Sequence, residues 1–377
     1  MFVYRTQDLP KDPVFPAELD KLGYFINGKD QIRKISDPEQ EFQFKINKNP
    51  RWNELQREAM NECVRKIVST RLRELGLVTL HLPLTSGPNK PHVPVLVSSN
   101  LKTASRIIVV FGEPVQDIGI WAYRTVGAES INAGSAVDFT KAVLEPGGDK
   151  KGNVALVLAN TGQIMWHCGS GRALTINSWM ALPRASAVES APSETKRNKI
   201  PDNENWQAHV GSVFDSILAA RGLLVRKDAK IDVIGLAEGG LGAIRYLSLN
   251  WETWRHHISA ICLANPLHTK AADLTPACGQ PTGSDSLAAF VALRCRAYLL
   301  SDEPLGVPLF DSPELGCNCY SSGERLNVEC IMPNAWLHML RWLNRAYADP
   351  DFCEERLEVV QVTSEIVEGE ANRGGHD

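Results

Sequence analysis

The chain has 377 residues, enough for one large α/β domain or two modest ones. Its net charge of −4 lacks the basic footprint of a nucleic-acid-binding domain, so no direct DNA or RNA contact is expected. No apolar run approaches the ~18 residues a membrane span needs, and the first residues, MFVYRTQDLPKDPVFP, lack the apolar core of a secretory signal.

Residues 1–48 read as an N-terminal extension. Leu22–Ile26 and Gln31–Ile35 flank Asn27-Gly28, a hairpin signal because both turn residues tolerate positive φ. Trp52, Leu55, Ala59, Cys63, Val64, Ile67 and Val68 then recur at helical spacing and predict a helix from about Trp52 to Leu75, ended by Gly76. Strands near Leu77–Leu82 and Val93–Ser98 flank the Pro/Gly-rich TSGPNKPH loop. From there strand and helix alternate, the pattern of a mostly parallel sheet. Arg106–Phe111, Val154–Ala159, Ile258–Ala264, Arg294–Leu300 and Cys317–Tyr320 are the predicted strands. Trp206 to Leu218 marks one helix, and Trp336, Leu340, Leu343 and Tyr347 mark a last one. Glu189–Asn203 reads as a mobile surface loop, and His268–Ser286 lies where hydrolases often insert a lid. The expected organisation is thus 1–48 extension, 49–350 an α/β-hydrolase-like domain with a mostly parallel central sheet flanked by helices, and 351–377 an acidic, partly disordered tail.

Nine cysteines, an odd count scattered from Cys63 to Cys353, suit reduced thiols in the cytosol or nucleus. Cys317-x-Cys319 with Cys330 lacks a second Cys or His pair at zinc spacing, so no metal and no cofactor are expected.

The segment Ile231–Gly240, IDVIGLAEGG, carries the functional argument. It has the form of a nucleophile elbow, G-x-S-x-G, in which a serine rides a tight strand-to-helix turn. Gly235 and Gly239 hold the flanking positions, and Ala237 stands where the serine would be. Alanine has no oxygen with which to attack a carbonyl. A triad also needs an acid after the penultimate strand, where Asp302 or Glu303 fits, and a histidine in the loop before the last helix. That loop, Ser321–Pro333, contains none, and His338 falls inside the helical run. Rescue would have to come from Glu238 at the elbow tip, from His268, or from His167 or Cys168, with Asp302 as acid. Gly112, Asp117 and Arg124, in the turn after Arg106–Phe111, are candidates for a retained pocket wall. Helix capping or pairing is the favoured role for Asp117.

Several segments carry a family resemblance: Phe15–Tyr24 (FPAELDKLGY), Val109–Arg124 (VVFGEPVQDIGIWAYR), Asn160–Cys168, Ser178–Arg184, Gly235–Gly240, Ser301–Gly306 and Ser321–Glu324. Together they span about residues 14–347. On these the chain resembles the Arb-two (argonaute-binding protein two) domain family, related to the "family with sequence similarity 172" proteins. The resemblance implies an α/β-hydrolase-like fold of fungal, stand-alone type, since no deacetylase-like segment precedes residue 15. It also implies protein partners, Argonaute or chromatin-silencing factors of RNA-interference heterochromatin formation, in the nucleus or cytoplasm. Animal relatives commonly keep serine at the elbow, and Ala237 departs from them. The expectation is a non-catalytic interaction module. The alternatives are an active hydrolase with a displaced nucleophile and a small-ligand sensor using the vacated pocket.

Overall fold

A computed structural model describes residues 9–145, 153–276 and 278–357. The chain opens with a small antiparallel hairpin, β1 (Tyr24–Ile26) and β2 (Ile32–Lys34). Its turn runs from Asn27 to Gln31. The Asn27 carboxamide oxygen accepts from the Lys29 and Gln31 amides, and Asp30, not Gly28, takes the left-handed conformation. The turn is therefore longer than the two-residue Asn-Gly turn that the sequence suggests. Asp30 then clamps Arg71 and the Asn132 amide, pinning the hairpin to the body of the molecule.

Helix α1 (Pro50–Glu74) starts where Asn49 accepts from the Arg51 amide and Pro50 sets the first turn. It ends at Gly76, which has φ +89°. There follow β3 (Leu77–Leu82), β4 (Val93–Ser98), β5 (Arg106–Phe111), α2 (Tyr123–Ala128), α3 (Ala136–Leu144) and β6 (Val154–Leu158). A short excursion, β7 (Met165–His167), β8 (Arg172–Leu174) and α4 (Ile176–Met180), leads to α5 (Trp206–Ser212), which continues as a π-helical turn to Leu218. The chain then runs through β9 (Lys230–Leu236), α6 (Ala237–Trp254), β10 (Ile258–Ala264), α7 (Lys270–Asp273) and α8 (Leu287–Arg294). It closes with β11 (Cys295–Leu299), β12 (Pro308–Leu309), β13 (Asn318–Ser321) and α9 (Ile331–Ala348).

Nine of these strands form one sheet in the order β12-β13-β11-β10-β9-β5-β6-β4-β3. The six from β13 to β6 are parallel, and the β3–β4 hairpin and β12 run antiparallel at the two edges. Strand alternation sorts the apolar residues into two layers. Ile108, Val110, Leu156, Leu158, Ile234 and Leu236 face α1, α3 and α9. Ile107, Val109, Phe111, Ala155, Val157, Ile231 and Val233 face α5, α6 and α8. Both faces of the parallel block are covered, which is why these strands read as continuous apolar runs. The sequence and this strand order together give an α/β-hydrolase-like fold.

One expectation changes. Glu189–Asn203 is not simply a surface loop: Ile200 and Asn203 are fully buried, and Ile200 packs with Val93 and Trp166. At the start of the tail, Glu354 pairs with Arg296 and accepts from the Tyr320 hydroxyl. The remainder of the tail, from 358, lies outside the described residues.

A vacated elbow with an acidic rim

Parallel pairing of β5 with β9 sets the Phe111–Gly112 turn beside the β9–α6 turn at the same end of the sheet. Ala237 begins α6 with φ +44°, the left-handed conformation that a nucleophile elbow imposes on its central residue. The flanking glycines are there because backbones meet. A Cβ on Gly235 would lie 2.3 Å from the Gly240 Cα, and one on Gly239 would lie 2.3 Å from the Gly112 carbonyl oxygen. The elbow geometry is complete, and the side chain at its tip is a methyl group.

The turn after β5 is locked from behind. The Thr161 hydroxyl donates to the Gly112 carbonyl at 2.6 Å. The Asn160 amide donates to Nε2 of His209, whose Nδ1 in turn donates to Asn203 Oδ1 at 2.7 Å. Gln163 accepts from the Ile118 amide and the Asn160 side chain. Burial holds the His209 pKa down to about 3, so the imidazole stays neutral and accepts as well as donates.

Of the pocket-wall candidates, Gly112 sits at the elbow. Asp117 is buried and accepts from Arg65 at 3.0 Å and from the Tyr123 hydroxyl at 2.6 Å, which ties the turn to α1. Arg65 also pairs with Glu58 and Glu62. This is the pairing role expected for Asp117. Arg124 lies on the surface and pairs with Glu329 at 3.2 Å. Behind the turn is a cavity of about 20 Å³ bordered by Glu113, Gln116, Asp117, Trp121, Asn160 and Thr161.

The triad positions are filled differently. Asp302 is exposed and pairs with Arg325 of the terminal loop, so an arginine meets the acid position where a histidine would be needed. His268 is buried and donates from Nε2 to the Leu315 carbonyl at 2.9 Å, and burial lowers its pKa. His338 bonds Tyr298 through Nδ1 and packs on Gly306. His167 bonds Ser170, and Cys168 is exposed on the excursion. Glu238 stays at the elbow tip, in the first turn of α6. Cys317 contacts Cys295 and Cys319, whereas Cys330 lies apart, against Thr125. Among the described residues, no three His, Cys, Asp or Glu side chains are placed to hold a metal ion.

Sequence reading missed Glu113. It follows Gly112 directly and is buried, with an exposure of 8%. Burial first, then the nearby Glu238 and Glu329 carboxylates, push its carboxyl up to about 7, and the Gln116 amide offsets only part of this. Glu238, in the first turn of α6, and Glu329 are thus near enough for their charge to act on Glu113. An oxyanion hole uses backbone N–H groups from these same two turns, and neighbouring negative charge opposes it.

Two sets of relatives accompany this geometry. The "Cotranscriptional regulator ARB2A homolog" of Xenopus tropicalis is 28% identical over 139 residues, 35% of this chain and 32% of that protein. The "Cotranscriptional regulator ARB2A" of Homo sapiens is 27% identical over 137 residues, 35% of this chain and 33% of that one. The chain spans about a third of the length of the curated relatives it matches. Among solved structures, a histone deacetylase from Saccharomyces cerevisiae aligns with a TM-score of 0.42 at 14% identity, over 76% of this chain and 97% of that one. An arylesterase aligns with a TM-score of 0.33 at 11% identity, over 77% and 91%. The family profile described as "Arb2 domain" matches residues 15–305. The chain belongs to the Arb2 domain family.

Proposed function

We propose that this protein is a non-catalytic regulatory module that uses an α/β-hydrolase-like scaffold to engage protein partners, in the nucleus and in complexes that act on transcription or chromatin. The carrying observation is the elbow: Ala237 holds the nucleophile conformation without a nucleophile. Its surroundings agree. The terminal loop supplies Arg325 rather than histidine to Asp302, and Glu238 puts a carboxylate directly after Ala237 at the elbow. The role named for the animal relatives, cotranscriptional regulation, supports a regulatory assignment. Within that assignment, Argonaute or another silencing factor is the proposed partner class, and the domain limits at about residues 48 and 350 are the proposed boundaries.

Two measurements test this reading. Purified protein is screened with p-nitrophenyl esters and a fluorophosphonate probe, and no saturable turnover and no labelling are expected. Tagged protein is purified from its native cell, and silencing or transcription factors are expected in reproducible stoichiometry. Turnover lost on Glu238→Gln or His268→Ala would replace the module with a displaced-nucleophile hydrolase. A small molecule retained beside Ala237 after purification would replace it with a ligand sensor.

A further inference from the structure

A cavity of about 440 Å³ lies against the N-terminal half of α1, and no elbow residue borders it. Its walls are residues 11–17, α1, and residues 172–185 of the excursion after β6. Arg51, itself buried, locks these walls together. It donates to both carboxylate oxygens of Asp12 at 2.8 Å, to the Met180 carbonyl at 2.8 Å and to the Leu182 carbonyl at 2.7 Å. The Arg184 backbone amide also donates to Asp12, and the Ser186 hydroxyl donates to the Pro10 carbonyl. A space framed by such bonds is preformed, and its volume falls within the ~300–1,000 Å³ typical of small-molecule sites.

The lining divides by chemistry. Phe15, Leu55, Ala59, Leu174 and Leu182 supply apolar surface, and Val14 borders the cavity at 88% exposure. Three carboxylates also border it, and each already meets an arginine: Asp12 meets Arg51, while Glu58 and Glu62 meet Arg65. The bordering cations are less committed. Among the described residues Lys11 and Arg184 form no ion pair. Arg184 gives its terminal nitrogens to the Met180 and Glu189 carbonyls, and its buried Nε has no acceptor among the described residues. Arg172 is half-exposed and meets Glu62 at 3.0 Å through one nitrogen. The cavity thus has apolar surface and positively charged donors to spare, and an unmatched buried donor costs stability that an arriving acceptor would recover.

We infer that this cavity binds a small amphipathic acid, whose aliphatic body packs on Phe15, Leu55 and Leu182 and whose carboxylate meets Lys11 and Arg184. Charge complementarity selects this occupant: the carboxylates of the wall are paired and its cations are not, so a neutral or cationic head would gain less. The inference goes beyond the interaction-module reading and does not depend on it.

The test titrates the full chain with decanoate by calorimetry, and with decan-1-ol as its neutral counterpart. Saturable binding of decanoate is expected, at least about tenfold tighter than that of the alcohol. Lys11→Gln/Arg184→Gln should weaken decanoate at least about tenfold and leave the alcohol within about twofold, a split that a loosened wall would not produce. Ala185 is exposed and borders the cavity, so Ala185→Trp should block both ligands without disturbing the core. Lys102→Gln, outside the cavity, should stay within about twofold of wild type and so separates the site from a general effect of surface charge. No saturable decanoate binding, equal affinity for the alcohol, equal loss of both ligands in Lys11→Gln/Arg184→Gln, or full decanoate affinity in Ala185→Trp overturns the proposal. None of these outcomes bears on the partners found by co-purification, so the two readings fail separately.

Discussion

Gly239 and Gly112 touch backbone to backbone: a Cβ on Gly239 would stand 2.3 Å from the Gly112 carbonyl oxygen and 2.6 Å from that of Phe111. Helix α6 can therefore approach β5 only because position 239 has no side chain. Gly239→Ala must push α6 away from the sheet along a tightly packed seam. The expected cost is about 3 kcal/mol, the upper part of the overpacking range, read as a fall in the urea midpoint with an unchanged m-value. A loss below about 0.5 kcal/mol would mean the seam is looser than described.

Glu113 makes stability depend on pH in an unusual direction. Its folded pKa, near 7, lies above the ordinary 4.5. Below pH 4.5 the group is protonated in both states, and above it the unfolded chain ionises first. The contribution of Glu113 is thus complete below about pH 4.5 and is lost as pH rises through 7, a change of about 3 kcal/mol. Glu113→Gln should be more stable than wild type at pH 8 and nearly equal to it at pH 4.5. Parallel wild-type and variant curves across that window would contradict the assigned burial.

His209 acts in the opposite sense. Its folded pKa of about 3 lies below the ordinary 6.5, so its contribution is full above pH 6.5 and falls as pH drops toward 3. Because Nε2 accepts from the Asn160 amide, protonation also removes the acceptor that anchors the loop behind Gly112. Hydrogen exchange at the Asn160 amide should accelerate between pH 6 and 4 beyond the intrinsic trend. His209→Gln should show no such acceleration.

Asp232 and Arg106 pair within the sheet, on the starts of β9 and β5, with exposures of 0% and 3%. Arg106 also stacks on Tyr347 at 4.6 Å and donates to Asn344. Asp232→Ala leaves the guanidinium uncompensated and should cost about 3–5 kcal/mol. Replacing both partners, as Arg106→Met/Asp232→Leu, should cost less than the single change. Strict additivity in a double-mutant cycle would show that the two side chains do not interact.

Ala237→Ser restores the elbow hydroxyl. With Arg325 rather than a histidine facing Asp302, and Glu113 and Glu238 nearby, the serine lacks a base and faces negative charge. No fluorophosphonate labelling and no ester turnover above buffer are expected. Labelling of Ala237→Ser that the wild-type protein does not show would mean that a base reaches the elbow after all.

Most of the sheet was legible because buried parallel strands announce themselves as short apolar runs. Leu77–Leu82, Val93–Ser98, Arg106–Phe111 and Ile258–Ala264 fall where the sequence puts them. The hairpin at Tyr24–Lys34 was legible as a hairpin but not as a turn, since Asn27 uses its side chain and Asp30 takes the positive φ. At the elbow, local spacing exposed Gly235, Ala237 and Gly239. The raised carboxyl of Glu113 was hidden because its burial, and its nearness to residues 238 and 329, arise only when separate segments come together. The Arg65–Asp117–Tyr123 and Asn203–His209–Asn160 networks were hidden for the same reason: neither has a local sequence pattern.

Ala237 keeps a left-handed backbone at φ +44° although it has no reactive atom to present. An L-residue in that region carries about 1–2 kcal/mol of steric strain. The crossing of β9 into α6 is enough to impose that strain, with or without a nucleophile at the tip. A twisted backbone at such a turn therefore records how the helix must leave the sheet, and it is no sign by itself that an enzyme is at work.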